Sequence, residues 1–130
     1  MTILLAYAPR PEGEAALEKA LALAKKNNER LVVVNASPGG HKEDPSMVFQ
    51  WDIERIAAQI EAAGVDGEVK QYVRGNAVVA EIEELVQTLQ VSMLVIGLRK
   101  RSPVGKLIMG SVAQDILLSV PCPVLAVKAE

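Results

Sequence analysis

The chain has 130 residues, of which 50% are hydrophobic and 23% are charged, and its formal net charge is −2. This length and composition predict one globular domain, residues 1–130, with a substantial apolar core. The near balance of 14 basic and 16 acidic residues argues against a whole-domain nucleic-acid-binding protein. An aromatic content of 3% argues against a base-stacking surface.

Cysteine and histidine are too scarce for several kinds of site. The single cysteine, Cys122, excludes a disulfide within the chain, and with the single histidine, His41, it cannot form a zinc cluster. His41 lies in a Gly-Gly-His-Lys-Glu-Asp-Pro segment typical of a loop, which argues against a Ser-His-Asp triad. No apolar run is long enough to span a membrane, and no basic region precedes the first one, so we expect a cytoplasmic protein.

Five short segments have the pattern of β-strands. Residues 3–7, 31–36 and 93–96 are nearly continuous apolar runs, typical of strands buried on both faces. Residues 67–73 alternate between apolar and polar, which is typical of an edge strand with one wetter face. Residues 124–127 form the last strand.

The segments between these strands have apolar residues at helical spacing. The first helix, residues 12–28, is acidic at its start and ends near Lys25 and Lys26, as the helix dipole favours. The second is closed by Gly64, the third is capped by Asn76, and the last extends from Ser111 to Ser119. Strict alternation of strands and helices predicts a parallel sheet covered by helices on both faces.

The loop after residue 96 combines glycine with positive charge. Its residues 99–106 contain four basic side chains and no acidic one, which leaves 10 basic against 16 acidic residues elsewhere. Gly97 and Gly110 allow close approach of the backbone to a ligand, and Ser111 opens a helix whose N-terminus can bind an anion. Because ligands of open parallel sheets bind beyond the carboxyl ends of strands, these features predict an anion site. The four basic residues are Arg99, Lys100, Arg101 and Lys106.

Each feature also has a purely structural interpretation. Ser111 and Gln114 form a Ser-x-x-Gln capping box, Gly97 could serve a sharp turn after the strand, and the basic run could be a solvated surface. The loop is not a Walker-type phosphate loop, because Leu107 stands where that motif requires Ser or Thr. A Gly-x-Gly-x-x-Gly dinucleotide motif is also absent.

The same loop resembles that of the universal stress protein family, whose nucleotide-binding members carry Gly-x₂-Gly-x₉-Gly-Ser/Thr after the fourth strand. Gly97, Gly110 and Ser111 keep this register, whereas Lys100 replaces the second glycine. Val-Arg-Gly at residues 73–75, Leu-Val-Ile-Gly before the loop and the final Pro-Cys-Pro-Val-Leu-Ala-Val also resemble family segments. The resemblance extends in order over essentially the whole chain.

This resemblance implies a five-stranded parallel sheet of order 3-2-1-4-5, of the adenine nucleotide alpha hydrolase-like type. It also implies a homodimer that pairs through the C-terminal strand, Val124 to Val127. The implied ligand is ATP or another adenine nucleotide, with Mg²⁺ as the ion that would accompany its phosphates. Adenine would meet the backbone of Ala36, the pocket would be lined by Ile96 and Gly97, and the phosphates would be held by Gly110, Ser111 and Val112, with added charge from Arg99 and Lys100.

Two positions depart from the family pattern. Ala8 stands where the family often has an acidic residue that binds ribose, and Lys100 places a side chain where backbone should approach phosphate. We expect an adenine-nucleotide-binding domain of the stress response and no catalysis, because residues 97–111 lack any Asp, Glu or His that could act as a base. The alternative is a nucleotide-free, dimeric interaction module: Ala8 and Lys100 favour it, whereas Gly97, Gly110 and Ser111 favour binding.

Overall fold

Strands and helices alternate along the part of the chain that the computed structural model describes, which comprises residues 1–37, 50–73, 78–98 and 111–129. The strands are β1 (Thr2–Ala6), β2 (Arg30–Ser37), β3 (Gly67–Val73), β4 (Val91–Leu98) and β5 (Val124–Lys128). The helices are α1 (Pro11–Asn27), α2 (Gln50–Ala62), α3 (Val78–Thr88) and α4 (Ser111–Ser119). Within these residues, no helix has both the length and the apolar character needed to cross a membrane.

The five strands form one parallel sheet in the order β3-β2-β1-β4-β5, which confirms the expected order. The central strand β1 pairs with β2 on one side and with β4 on the other, so that Ile3 stands opposite Leu31 and Met93. β3 and β5 form the two edges. The alternating pattern of residues 67–73 thus belongs to an edge strand, as predicted.

Side chains of the strands alternate between two apolar layers. Ile3 and Leu5 of β1 are fully buried beneath α1 and α2, whereas Leu4, between them in the chain, is fully buried on the side of α3 and α4. This arrangement confirms helices on both faces of the sheet. The α1/α2 layer also contains Ala16, Leu17, Ala20, Ile56 and Ile60, and the α3/α4 layer contains Ile82, Leu85, Val86, Leu94 and Ile116.

Helix ends follow the local chemistry of the sequence. α1 begins at Pro11, whose missing N–H costs nothing in a first turn. It ends at Asn28, which adopts a left-handed conformation with φ of 54° and donates its N–H to the carbonyls of Ala24 and Lys25. Gly64, with φ of 73°, follows α2 as predicted. Asn76, the predicted cap of α3, lies outside the described residues.

β4 is longer than its apolar centre predicts. It covers Val91–Leu98 because β1 pairs with its first residue and β5 with its last. The polar Ser92 is accommodated since its hydroxyl donates to a carboxylate oxygen of Glu29 at 2.5 Å. Gly97 consequently lies within the strand, opposite Val127. The interpretation of Gly97 as a sharp turn after the strand is therefore wrong.

Candidate functional site

The sheet has a topological switch point between β1 and β4. α1 leads from β1 towards β2 on one face, and α4 leads from β4 towards β5 on the other face. The strand order therefore reverses at the carboxyl ends of β1 and β4, which is where open parallel sheets bind ligands. The carboxyl ends of β1 and β4, with the adjoining starts of α1 and α4, are called the ligand edge below.

Three described members of the predicted site lie on the strands that flank β1. Ala6, the last residue of β1, stands opposite Val34 of β2 and Ile96 of β4. Ala36 is two residues beyond Val34, which places it about 7 Å further along the strand direction. Because β1 lies between β2 and β4, the two flanking strands are about 9–10 Å apart. The fold thus brings Ala36, Ile96 and Gly97 together at the carboxyl ends of the strands.

Ile96 contributes to the apolar layer beneath this edge. It is 2% exposed and belongs to the α3/α4 layer, together with Leu94 and Leu98 of its own strand. A ligand at the edge would rest above this layer rather than on an exposed Ile96 side chain. Its role as a pocket residue stays a prediction.

Gly97 lies directly beneath the first turn of α1. A Cβ atom at this position would be 2.7 Å from the carbonyl carbon of Glu12 and closer still to the carbonyl oxygen. Gly13, in the same turn, is packed in the same way against the carbonyl of Ala8. Backbone therefore packs on backbone where the β1–α1 connection crosses the end of β4. This packing requires glycine at position 97 whether or not a ligand binds.

The start of α4 is the other part of the ligand edge. α4 begins at Ser111, as predicted, and Val112 is its second residue. The first N–H groups of a helix have no partner within the helix and lie at the positive end of its dipole, so they can bind an anion. The residues of this start therefore fit a phosphate group. Arg99, Lys100 and Gly110, predicted to act with them, lie outside the described residues.

A polar cluster beside the ligand edge was not predicted from the sequence. Tyr7 continues β1 by donating its backbone N–H to the carbonyl of Val34 at 2.9 Å. Its side chain is buried in the α1/α2 layer, and its hydroxyl donates to Oε2 of Glu14. Burial, followed by the hydrogen bond and charge of Glu14, raises the pKa of Tyr7. The hydroxyl therefore remains protonated, and a donor, at neutral pH.

Arg55 of α2 joins this pair from the facing helix. Its Nη1 lies 3.1 Å from Oε1 of Glu14, and its Nη2 lies 3.2 Å from Oε2, which is the geometry of a two-pronged guanidinium–carboxylate pair. Nη2 also donates to the Tyr7 hydroxyl at 3.2 Å and lies 3.6 Å from Oδ1 of the buried Asp52. The hydrogen bond and charge of Glu14 raise the pKa of Arg55. We call Tyr7, Glu14, Asp52 and Arg55 the junction cluster.

Only one feature of the sequence indicates the junction cluster, and it does so indirectly. Tyr7 reads as the end of an apolar strand, although a buried tyrosine hydroxyl usually requires a partner. Glu14 reads as an acidic residue that favours the start of a helix, and Arg55 stands 41 residues further along the chain. Nothing in their spacing indicates contact, because only the packing of α1 beside α2 brings them together.

The open parallel sheet and its strand order, with a switch point between β1 and β4, define a Rossmann-like α/β protein. The model of the universal stress protein family matches residues 1–128, and the chain belongs to that family. A universal stress protein from Mycolicibacterium smegmatis is 38% identical over 126 residues, which cover 97% of this chain and 96% of that protein.

Solved structures of similar proteins share the fold. The structure of a universal stress protein from Archaeoglobus fulgidus matches with a TM-score of 0.75 and 30% identity, and the match covers 98% of this chain and 97% of that one. A universal stress protein from the same organism, solved in complex with dAMP, matches with a TM-score of 0.68 and 24% identity over 98% of this chain and 96% of that one. The family and fold expected from the loop and the C-terminal segment are thus confirmed.

Proposed function

We propose that this protein binds an adenine nucleotide at the ligand edge and acts as a non-catalytic, nucleotide-binding component of a stress response. The observation that carries the proposal is the start of α4 at Ser111, in the register that the family pattern requires, beside the β1/β4 switch point. The dAMP bound by the A. fulgidus protein of the same fold supports an adenine nucleotide as the ligand class.

The phosphates would bind at the α4 side of the edge. Backbone N–H groups of Ser111 and Val112 would donate to phosphate oxygens, and Gly110 would leave room for them. Hydrogen bonds to a charged group contribute about 1.5–3 kcal/mol each. Arg99 and Lys100 would add positive charge from the loop, with Mg²⁺ as the accompanying ion for a di- or triphosphate.

The nucleoside would bind across the ends of β2 and β4. Adenine would meet the backbone at Ala36, and Ile96 and Gly97 would form the wall below. Ala8 provides few hydrogen bonds for the sugar. Its side chain is a methyl group, and its carbonyl already accepts a hydrogen bond from the N–H of Arg10 at 2.8 Å. We therefore propose that the sugar is bound weakly and that ribose and deoxyribose nucleotides bind with similar affinity.

We propose binding without catalysis because no general base is placed in the glycine-rich segment. Residues 97–111 contain no Asp, Glu or His. The Glu14 carboxylate beside the ligand edge is engaged by Arg55 and Tyr7, which keeps it from abstracting a proton.

A nucleotide-free interaction module is the second candidate, and the β5 edge is the surface that it would use. β5 carries four apolar residues, Val124 to Val127 in sequence, which are only partly buried. On the adjoining α4, Leu118 is 79% exposed and Leu117 is 37% exposed. We propose that a second copy pairs with this edge and covers Leu118, in either functional state. The two candidates therefore differ only in whether a nucleotide binds.

Thermal unfolding with and without millimolar AMP, ADP or ATP tests the proposal. A ligand present at 100 times its Kd stabilises the native state by about 2.7 kcal/mol, so wild-type protein should unfold at a higher temperature with at least one nucleotide. Absence of any shift would overturn nucleotide binding and leave the interaction module as the function.

The Gly110→Val variant locates the site. Valine would add bulk where the proposed site places a phosphate, and it leaves the Ser111 side chain unchanged, so the nucleotide-dependent shift should disappear while the protein remains folded. Ser111→Ala is a poor substitute because losing the cap alone costs about 0.5–2 kcal/mol. Gly64→Ala, at the end of α2, is the matched control: it should lower the unfolding temperature but keep the nucleotide-dependent shift.

A further inference from the structure

We propose that Arg55 is a positioning residue for the ligand edge: through Tyr7 and Glu14 it holds the β1–α1 connection in place over the end of β4. This inference rests on the proposed nucleotide binding. It assigns a role to α2, a helix that contributes no residue to the predicted site.

Arg55 contacts the chain on both sides of residues 8–13, which include most of the β1–α1 connection and the first three residues of α1. Tyr7 immediately precedes residues 8–13, and Glu14 immediately follows them. The Arg55 guanidinium donates to the Tyr7 hydroxyl at 3.2 Å and pairs with both carboxylate oxygens of Glu14 at 3.1 and 3.2 Å. The Tyr7–Glu14 hydrogen bond closes the loop between the two ends. One side chain from another helix therefore fixes a six-residue segment.

This segment is part of the ligand edge. The carbonyl of Glu12, within this segment, packs directly on Gly97, a residue of the predicted site. In a contact between two backbone segments, no side chain can change its rotamer to compensate for a movement. A displacement of residues 8–13 therefore changes the position of the β4 end relative to α1. Arg55 is thus connected to Gly97 by two contacts: Arg55 pairs with Glu14 in the first turns of α1, and the carbonyl of Glu12 in the same helix packs on Gly97.

Arg55 is itself held in its orientation. Its Nη2 lies 3.6 Å from Oδ1 of the buried Asp52, one helical turn earlier, and its Nη1 donates to Oε1 of Gln59 at 3.2 Å, one turn later. A guanidinium with partners on both sides presents its fork to Glu14 in one direction only. The arrangement is that of a preorganised support rather than of a loose surface ion pair.

Exposure argues that this support serves position more than stability. The side chains of Arg55 and Glu14 are 37% and 44% exposed, so water and salt screen their attraction, and such pairs add little to folding stability. The loss of this pair should therefore appear in the local order of residues 8–14 and in ligand affinity, whereas a loss of global stability in Arg55→Met would come from the buried Asp52, which also loses an ion-pair partner.

Arg55→Met and Arg30→Met form a matched pair of variants. Arg30 at the start of β2 has nearly the same side-chain exposure, 39%, and also makes two ion pairs, with Asp66 at 3.9 Å and Glu68 at 3.4 Å. It lies at the opposite, amino end of the strands. Both substitutions remove one exposed positive charge, but only Arg55→Met releases the β1–α1 connection.

Two readouts are measured for both variants. In Arg55→Met, amide hydrogen exchange at Arg10 and Glu14 should be several-fold faster than in wild type, because their hydrogen bonds to Ala8 and Arg10 lie within the released segment. The Kd for AMP, by calorimetry, should rise about three- to tenfold. Arg30→Met should change neither. Should Arg55→Met fail to fold, Arg55→Lys keeps the charge but loses the fork and should change both readouts in the same direction.

The outcomes separate this inference from the proposed function. Wild-type protein that binds no adenine nucleotide overturns the proposed function and, with it, the assigned role of Arg55. Nucleotide binding by wild type, together with an Arg55→Met variant that matches Arg30→Met in exchange and in Kd, overturns the role of Arg55 alone. A raised Kd for AMP without faster exchange would likewise contradict positioning through residues 8–14.

Discussion

The carbonyl group of Glu12 lies directly over Gly97, with no room for a side chain between them. Gly97 is the first residue of the glycine pattern that relates this chain to nucleotide-binding proteins. The close contact between α1 and β4 is thus sufficient to require glycine, and the ligand function must be judged from Gly110 and Ser111 instead.

Replacing Gly97 by alanine should destabilise the protein by about 1–3 kcal/mol, because the added methyl group meets rigid backbone. Urea unfolding measures the change. Gly64 provides the contrast: in the part of the chain that the structure describes, no atom beyond the neighbouring residues lies within 4 Å of a Cβ there, and its φ of 73° penalises other residues. Asparagine tolerates that conformation and should cost less than alanine at position 64, whereas at position 97 it should cost more. Equal tolerance of asparagine at both positions would contradict the contact.

Ionisation of Tyr7 should lower the free energy of unfolding at alkaline pH. Burial, and then Glu14, raise its pKa in the folded protein, whereas the unfolded chain ionises near the ordinary value of about 10. The stability contributed by the Tyr7 hydroxyl is therefore complete below pH 10 and declines as the pH rises further, by up to about 1.4 kcal/mol per pH unit.

Urea unfolding of wild type and Tyr7→Phe between pH 8 and pH 11 measures this effect. The advantage of wild type over Tyr7→Phe should shrink above pH 10. Tyr72→Phe, which retains Tyr7, should keep the wild-type decline. A constant difference between wild type and Tyr7→Phe across this range would argue against a buried, hydrogen-bonded hydroxyl.

Nucleotide affinity should decrease as salt concentration increases. Arg99 and Lys100 would attract the phosphates electrostatically. At physiological ionic strength, salt screens the attraction between exposed charges more than about 8 Å apart. Titration calorimetry with ATP at low and at high NaCl concentration measures the effect, and Lys100→Ala should reduce the salt dependence. Lys19→Ala, which removes an exposed charge from α1, serves as the control. Equal affinity at both salt concentrations would mean that backbone groups alone hold the phosphates.

The β5 edge should form a dimer in solution. Sedimentation or light scattering at micromolar concentration should give twice the chain mass of 13.9 kDa. Leu118→Lys places a charge on the exposed apolar surface of α4 and should shift the protein towards monomer, whereas Gln87→Lys on the exposed side of α3 should leave it unchanged. A wild-type protein of single-chain mass would overturn pairing through this edge.

Cys122 should react slowly in the folded protein. Burial raises the pKa of its thiol, which lowers the fraction of reactive thiolate at neutral pH. Alkylation by iodoacetamide at pH 7.5 should be several-fold slower than in urea and should accelerate with rising pH. A reaction as fast as in urea would instead show that the thiol is accessible and reactive in the folded protein.

Most of the fold could be predicted from the sequence because each element carries its own local signal. Local sequence alone predicts the strands, from their uninterrupted apolar runs. It also predicts the end of α2 at Gly64 and the start of α4 at Ser111. Information of another kind was needed for the length of β4, since strands on both sides extend its pairing beyond the apolar centre. The cluster of Tyr7, Glu14 and Arg55 depends on how two helices pack, which no spacing in one sequence encodes.

The two edges of the sheet differ in a way that limits how large an assembly can grow. At β3, the carboxylate of Glu68 lies 3.4 Å from both Lys70 and Arg30, so a further strand would have to displace or bury charged side chains. At β5, the sole charged residue of the strand is Lys128 at its end. The proposed pairing through β5 would leave β3 of each copy as the outer strand, so the assembly would stop at two copies instead of growing into a longer sheet. Charge reversal confined to Glu68 and Lys70 would leave this limit in place, whereas making both apolar would remove it.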